Sequence, residues 1–293
     1  MRRRLAGVVL AGAMLAGCAG QPAAEPTPAP PSGAAAADPL ALIGLWRIEE
    51  PSEQPDAVVR LAAHEFGVFR RCESLTGEWN ADQSGSFVAS TGGFSPDDGE
   101  PGCQASRAPD ATALMPSWLP RVVGFRVDGA DRLLLDAEGE VVARLRPGAR
   151  SISLPSKMAP ELTDPPIVDV AARDAFAPAA ALPARLEPAT TATLTGRWLP
   201  VGWKPRPSGT PSAEFRANGD WHGSDGCNGQ GGRWAAGAQG AFIAIMGPQT
   251  LIGCAGVSVG SWLSQARRAG FDHDALVLLD AAGKELGRLQ RER

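Results

Sequence analysis

Ala213-Glu214-Phe215-Arg216-Ala217-Asn218-Gly219-Asp220-Trp221-His222-Gly223 decides the fold class. Ala213, Phe215 and Trp221 alternate with Glu214, Arg216 and His222, the two-residue period of strands with one buried face. Asn218-Gly219-Asp220 supplies the tight turn between them. Outward from this hairpin, Gly232-Arg233-Trp234-Ala235 and residues 241–246 read as further strands. One helix is expected from Ser261, because Trp262, Ala266 and Ala269 recur at helical spacing with Leu263 beside Trp262, and Gly270 fits a C-terminal cap. Residues 275–279 and 285–289 then flank Asp280-Ala281-Ala282-Gly283 as a closing hairpin.

The first half of the chain repeats these landmarks in order. Gly44-Leu45-Trp46-Arg47 answers to Gly196-Arg197-Trp198-Leu199, Phe66 to Trp221, Cys72 to Cys227, Trp79 to Trp234, Cys103 to Cys254 and Trp118 to Trp262. Leu133-Leu134-Leu135-Asp136-Ala137-Glu138-Gly139 matches Val277-Leu278-Leu279-Asp280-Ala281-Ala282-Gly283, followed by Arg144-Leu145 and Arg288-Leu289. Two tandem small β-rich domains are therefore expected at residues 40–148 and 192–293, each with one helix and a C-terminal β-hairpin, a mostly β (α+β) class. In the first copy Pro116 and Pro120 fall at the helix position, 114–124, which predicts a kinked or shortened element. Residues 149–191 are rich in Pro and Ala and read as a linker, with one short apolar stretch at 167–172.

The chain opens with Met1-Arg2-Arg3-Arg4, an apolar run from Leu5 to Met14, and Leu15-Ala16-Gly17-Cys18. This resembles a bacterial lipoprotein signal peptide: basic residues stay cytoplasmic, a short apolar run enters the bilayer, and small residues fit the peptidase. The run is short for a spanning helix. The resemblance implies loss of residues 1–17, acylation of the Cys18 thiol with palmitate as the new N-terminus, and attachment to the extracytoplasmic face of the cell membrane through that lipid. Residues 18–39, almost wholly Ala and Pro after Gln21, read as an extended tether. The formal net charge of −4 argues against nucleic acid as a partner.

Outside the cytoplasm the remaining four cysteines are expected as disulfides. Four permit three pairings, and the duplication selects Cys72 with Cys103 and Cys227 with Cys254. A zinc site from Cys227, Cys254 and His222 is the alternative, but no C-x-x-C spacing is present and the first copy lacks the histidine.

Gly196-x-Trp198, Gly226-Cys227-Asn228, Thr250-x-x-x-Cys254, the single helix and the closing hairpin together resemble a META domain of the HslJ-like group. The resemblance covers the second copy; the first departs from it with Arg71-Cys72-Glu73 and no threonine four residues before Cys103. It implies a compact, mostly β envelope domain associated with stress response or antibiotic tolerance, without shared catalytic machinery.

The residues offer little chemistry of their own. His64, His222 and His273 are the only histidines and there is no tyrosine, so acid–base options near neutral pH are few. The Gly223–Gly232 stretch lacks the Lys-Ser/Thr ending of a phosphate loop and places Ser224 outside any G-x-S-x-G pattern; it reads as a turn held by Asp225 and Asn228. Asp272-His273-Asp274 reads as a charged loop. The matched tryptophans read as core anchors. Trp203 has no match and, with Lys204 and Arg206, sits in a basic, Pro-rich loop expected to be exposed, the best candidate for a binding patch. The expected protein is thus a non-catalytic cell-envelope lipoprotein, a binding or structural module for an envelope protein or small ligand, without cofactor or metal. The alternatives are a secreted hydrolase with an unrecognised site or an extracellular protease inhibitor.

Overall fold

The computed structural model describes residues 37–96, 115–149, 164–204, 209–247, 249 and 256–292. The leader, Cys18 and most of the tether lie outside them. Over the described residues the protein is mostly β, with two antiparallel sheets and three short helices.

The first sheet follows a 3-10 turn at Pro39–Leu42 and contains β1 (Gly44–Glu49), β2 (Val58–Leu61), β3 (Glu65–Arg70), β4 (Glu73–Ala81), β5 (Phe87–Pro96), β6 (Gly124–Asp128), β7 (Asp131–Leu135) and β8 (Val141–Arg146). Its order, β5-β4-β3-β2-β1-β8-β7-β6, keeps sequential strands side by side and pairs the last with the first, Arg47 opposite Arg146. A bridge between Ser86 and Gly124 joins the two outer strands, with Phe87 N–H donating to Val123 O at 2.9 Å and Phe125 N–H to Gly85 O at 2.8 Å. Eight strands thus close into an up-and-down ring, a size whose interior side chains can fill.

The second sheet repeats the scheme with β10 (Gly196–Pro200), β11 (Ser212–Phe215), β12 (Asp220–Ser224), β13 (Gly229–Ala236), β14 (Phe242–Met246), β15 (Arg268–Asp272), β16 (Ala275–Leu279) and β17 (Glu285–Arg291). β17 pairs β10, and a bridge from Ala241 to Arg268 joins β14 to β15. A two-residue strand, β9 (Glu187–Pro188), adds to the outer side of β15.

Matched residues do the same work in both rings. Trp46 and Trp198 are buried, and their indole N–H groups donate to Leu42 O and Leu194 O, each at 2.7 Å, which answers the need of a buried indole for an acceptor. Each indole also lies under a guanidinium, though from strands that do not correspond: Arg132 of β7 over the first at 4.9 Å and Arg291 of β17 over the second at 4.5 Å. Asp136 accepts from the N–H groups of Glu138 and Glu140, and Asp280 from those of Ala282 and Lys284, closing the two terminal hairpins around Gly139 (φ 83) and Gly283 (φ 82). Trp118 and Trp221 are also buried; Trp262 is half-buried. Trp118 donates to Glu53 at 3.1 Å; burial pushes that carboxyl up, but hydrogen bonds from Arg70 and Trp118 outweigh it and hold the group below the usual carboxylate range.

The helix in the second half differs from the sequence expectation. It spans Val259–Gln265 (α3), and Ala266 already has extended backbone (φ −64, ψ 140). Ala269 and Gly270 belong to β15, so the closing hairpin is a three-stranded meander. The cause is tertiary: Arg267 N–H reaches Leu279 O at 2.8 Å, and a Cβ on Gly270 would meet Glu187 O and Leu182, both at 3.1 Å. α3 packs against β11, β12, β14, β16 and β17 with Val259 and Leu263 fully buried. At the matching place in the first half, Pro120 sits in a single 3-10 turn, Leu119–Arg121, the shortened element its prolines predict.

Residues 164–191 join the rings and are themselves structured. α1 (Val170–Ala175) is capped by Asp169, which accepts from Ala172 N–H at 2.8 Å, and α2 (Thr191–Leu194) carries a reciprocal Thr190–Thr193 capping box. The rings, with this segment, belong to one compact unit, Ala36–Arg293. They meet where Val88 of β5 packs with Ala235, Ile243 and Ile245, and where Arg233 donates to Pro120 O at 2.5 Å.

Candidate functional site

The joining segment shapes a cleft between the rings. Phe176, just after α1, is buried against the first ring: its side chain lies 4.8 Å from the Trp79 ring and 5.5 Å from His64, and Gln83 donates to its carbonyl at 2.7 Å. Further on, Arg268 donates to Ala180 O at 2.9 Å, Ala180 N–H donates to Ala281 O at 2.9 Å, and Leu182 and Leu186 pack on Val277 and Leu279. The segment therefore binds to both rings.

Beside it lies a hollow of about 640 Å³ lined by His64, Glu78, Asp174, Ser264, Arg267 and Asp280, with Trp79 in its wall. These come from the first ring, α1, the end of α3 and the last hairpin. A second hollow of about 550 Å³ is lined by Arg60, Glu65, Phe69, Thr76, Ser90 and Met246, and Glu78 borders both.

His64 occupies the turn between β2 and β3 with φ 63, a left-handed conformation that a side chain rarely adopts. Trp79 holds that turn, donating from its main chain to His64 O at 3.2 Å and from its indole to Ala62 O at 2.6 Å. In the second ring the equivalent main-chain bond runs from Trp234 N–H to Gly219 O at 2.8 Å, and Gly219 has φ 82. The first ring thus places an imidazole where the second uses glycine, and strain of this kind collects at functional sites.

Arg267 donates from Nη1 to Ser264 O and Ala266 O, both at 3.0 Å, which fixes its guanidinium at the cleft wall. Among the described residues it forms no ion pair, although Glu78, Asp174 and Asp280 line the same hollow. Burial pushes its basicity down, opposed by the charge of Asp82. Crowding by the protein also lowers the His64 pKa, the Arg267 charge adds to this, and Glu78 and the Trp79 main chain oppose it.

The residues singled out from the sequence lie elsewhere. Cys72 and Cys227 are disulfide-bonded, so Cys227 offers no free thiolate to zinc; Cys103 and Cys254 lie outside the described residues. In the loop expected to be exposed, Val201 and Gly202 are exposed and Trp203 is half-buried, its main-chain N–H donating to Pro200 O at 3.2 Å in the turn that follows β10. Lys204 is exposed, and Arg206 lies outside the described residues. Ser224 accepts from Gly226 N–H at 2.9 Å, His222 sits exposed in the middle of β12, and His273 is 96% exposed beside Asp272, which Arg288 holds at 2.7 Å. Asp225 accepts from the N–H groups of Cys227 (2.8 Å) and Asn228 (2.6 Å), as expected for the turn, while the surrounding glycines run into β12 and β13. Among the described residues no group of three or more His, Cys, Asp or Glu is placed to hold a metal, and no helix is long and apolar enough to cross a membrane.

The sequence reading missed the cleft residues. The one local signal was His64 in the place of a turn glycine. No family model matches the chain, and no curated protein or solved structure matches it.

Proposed function

We propose that this protein is a lipid-anchored module of the cell envelope that works by holding a ligand in the cleft between its two rings rather than by catalysis. The observation that carries this reading is the cleft itself: polar side chains from both rings and the joining segment converge on one hollow, while the ring interiors are filled by buried tryptophan and aliphatic side chains. The disulfide-bonded Cys72 and Cys227 support an oxidising compartment, and the leader ending at Cys18 supports attachment there by lipid. The resemblance of the second half to META domains supports a role in envelope stress or antibiotic tolerance.

Two measurements test it in cells. Cys18→Ala should abolish palmitate labelling and release the protein from membranes; a variant that still pellets with membranes refutes the anchor. A photo-reactive residue at Asp174, at the cleft, should give adducts that the same residue at Val127, exposed on β6, does not. Equal adducts at both sites, or none at Asp174, refute ligand holding in the cleft.

A further inference from the structure

Charges of both signs face the cleft without neutralising one another. Arg267 stands in its wall with its fork partly spent on two carbonyls, and Glu78 and Asp174 line the same hollow with no ion pair of their own among the described residues. Asp280 lines it too, using one carboxylate oxygen to cap its hairpin. Side chains that share a crevice and do not pair leave both charges available to a ligand. The carboxylates outnumber the guanidinium, so a simple anion such as phosphate is the poorer fit and a molecule carrying both charges the better one. The volume, about 640 Å³, is in the range of small-molecule sites and larger than a single ion needs. Ala175, Ala281 and Ala282 line the same hollow and give it small apolar surfaces beside the charged groups, which suits short side chains.

We propose that the cleft binds a zwitterionic ligand of the amino-acid or short-peptide class, its carboxylate on Arg267 and its ammonium group on the acidic side formed by Asp174, Glu78 and Asp280. This rests on the binding-module reading and adds the chemical class of the ligand. The Arg267 fork is suited to a planar carboxylate, and the His64 imidazole, held at the rim by its turn, borders the same group.

The test is calorimetric titration of the detergent-solubilised full-length protein with dialanine, with N-acetyl-dialanine, which lacks the ammonium group, and with dialanine amide, which lacks the carboxylate. Dialanine should bind, and blocking either end should weaken it by about tenfold or more, the effect of losing a charge-assisted contact. In Arg267→Gln the amide and the free acid should bind alike, and in Asp174→Asn, on the exposed face of α1, the acetylated and free peptides should converge. Arg267→Lys keeps the charge and is the control for any loss of fold. Equal binding of all three probes, or an unchanged preference in both variants, overturns the proposal. Failure of every probe to bind while photo-adducts still form at Asp174 overturns the ligand class and leaves the binding module standing; absence of those adducts removes the module reading itself.

Discussion

The Phe176 ring lies 4.8 Å from the Trp79 ring at an interplanar angle of 33°, so the segment joining the two rings is seated on an indole of the first. Trp79 also holds the His64 turn through its main chain and its indole, and one residue therefore positions both a wall and the rim of the cleft.

Removing that seat should cost stability and disturb the cleft together. Phe176→Ala is expected to destabilise the protein by about 3 kcal/mol in urea unfolding, through lost burial and a cavity beside Trp79. The same variant should increase amide exchange in α1. Unchanged exchange there would separate the segment from its anchor.

Gly77 and Gly232 stand two residues before the matched Trp79 and Trp234, and a Cβ at either would fall 1.9 Å from Ser90 O or 2.0 Å from Ile245 O. Neither carbonyl can move without its strand. Gly77→Ala and Gly232→Ala should each lower stability by about 2 kcal/mol or more. Gly229, with nothing within 4 Å of its Cβ position, is the control, and Gly229→Ala should be neutral or slightly stabilising in the same thermal melts.

Acid should weaken the protein through His64. Its folded pKa lies below the ordinary value of 6.5, so the unfolded chain takes up the proton first as pH falls. This contribution to stability is complete above the unfolded pKa and is lost as pH drops through the folded one. His64→Gly should reduce the fall in Tm between pH 7 and pH 5, and by accepting φ 63 without strain it should not lower Tm at pH 7. A pH dependence identical to wild type would show that His64 does not titrate differently on folding.

Reduction should destabilise both rings. If Cys72 pairs with Cys103 and Cys227 with Cys254, each bond closes a loop of about 30 residues and contributes about 3 to 4 kcal/mol in the chain-entropy view. Peptide mapping without reductant should recover those two crosslinks. A peptide joining Cys72 to Cys254 would refute the pairing.

The strands were legible where one face is buried. Phe215 and Trp221 alternate with polar neighbours around Asn218-Gly219-Asp220, and they pair opposite one another in β11 and β12. The hairpin at Asp280–Gly283 was legible because its aspartate and glycine have specific backbone tasks. β15 was not, because Ala266, Ala269 and Gly270 are small enough for either period, and pairing with β16 and β9 decides the matter. β2 is buried on both faces, which removes the alternation altogether. The cleft could not be read because His64, Asp174 and Arg267 are distant in sequence and meet only through the packing of two rings and a connector.

Pairing of β1 with β8, and of β10 with β17, brings the start and finish of each ring side by side. A unit that ends where it begins can be copied in tandem without rethreading, since the next copy starts from the same edge. The same geometry makes each ring a candidate for circular permutation: new termini opened at the Asn218–Asp220 turn, with the old ends spliced by a short connector, would leave every strand beside its present neighbours.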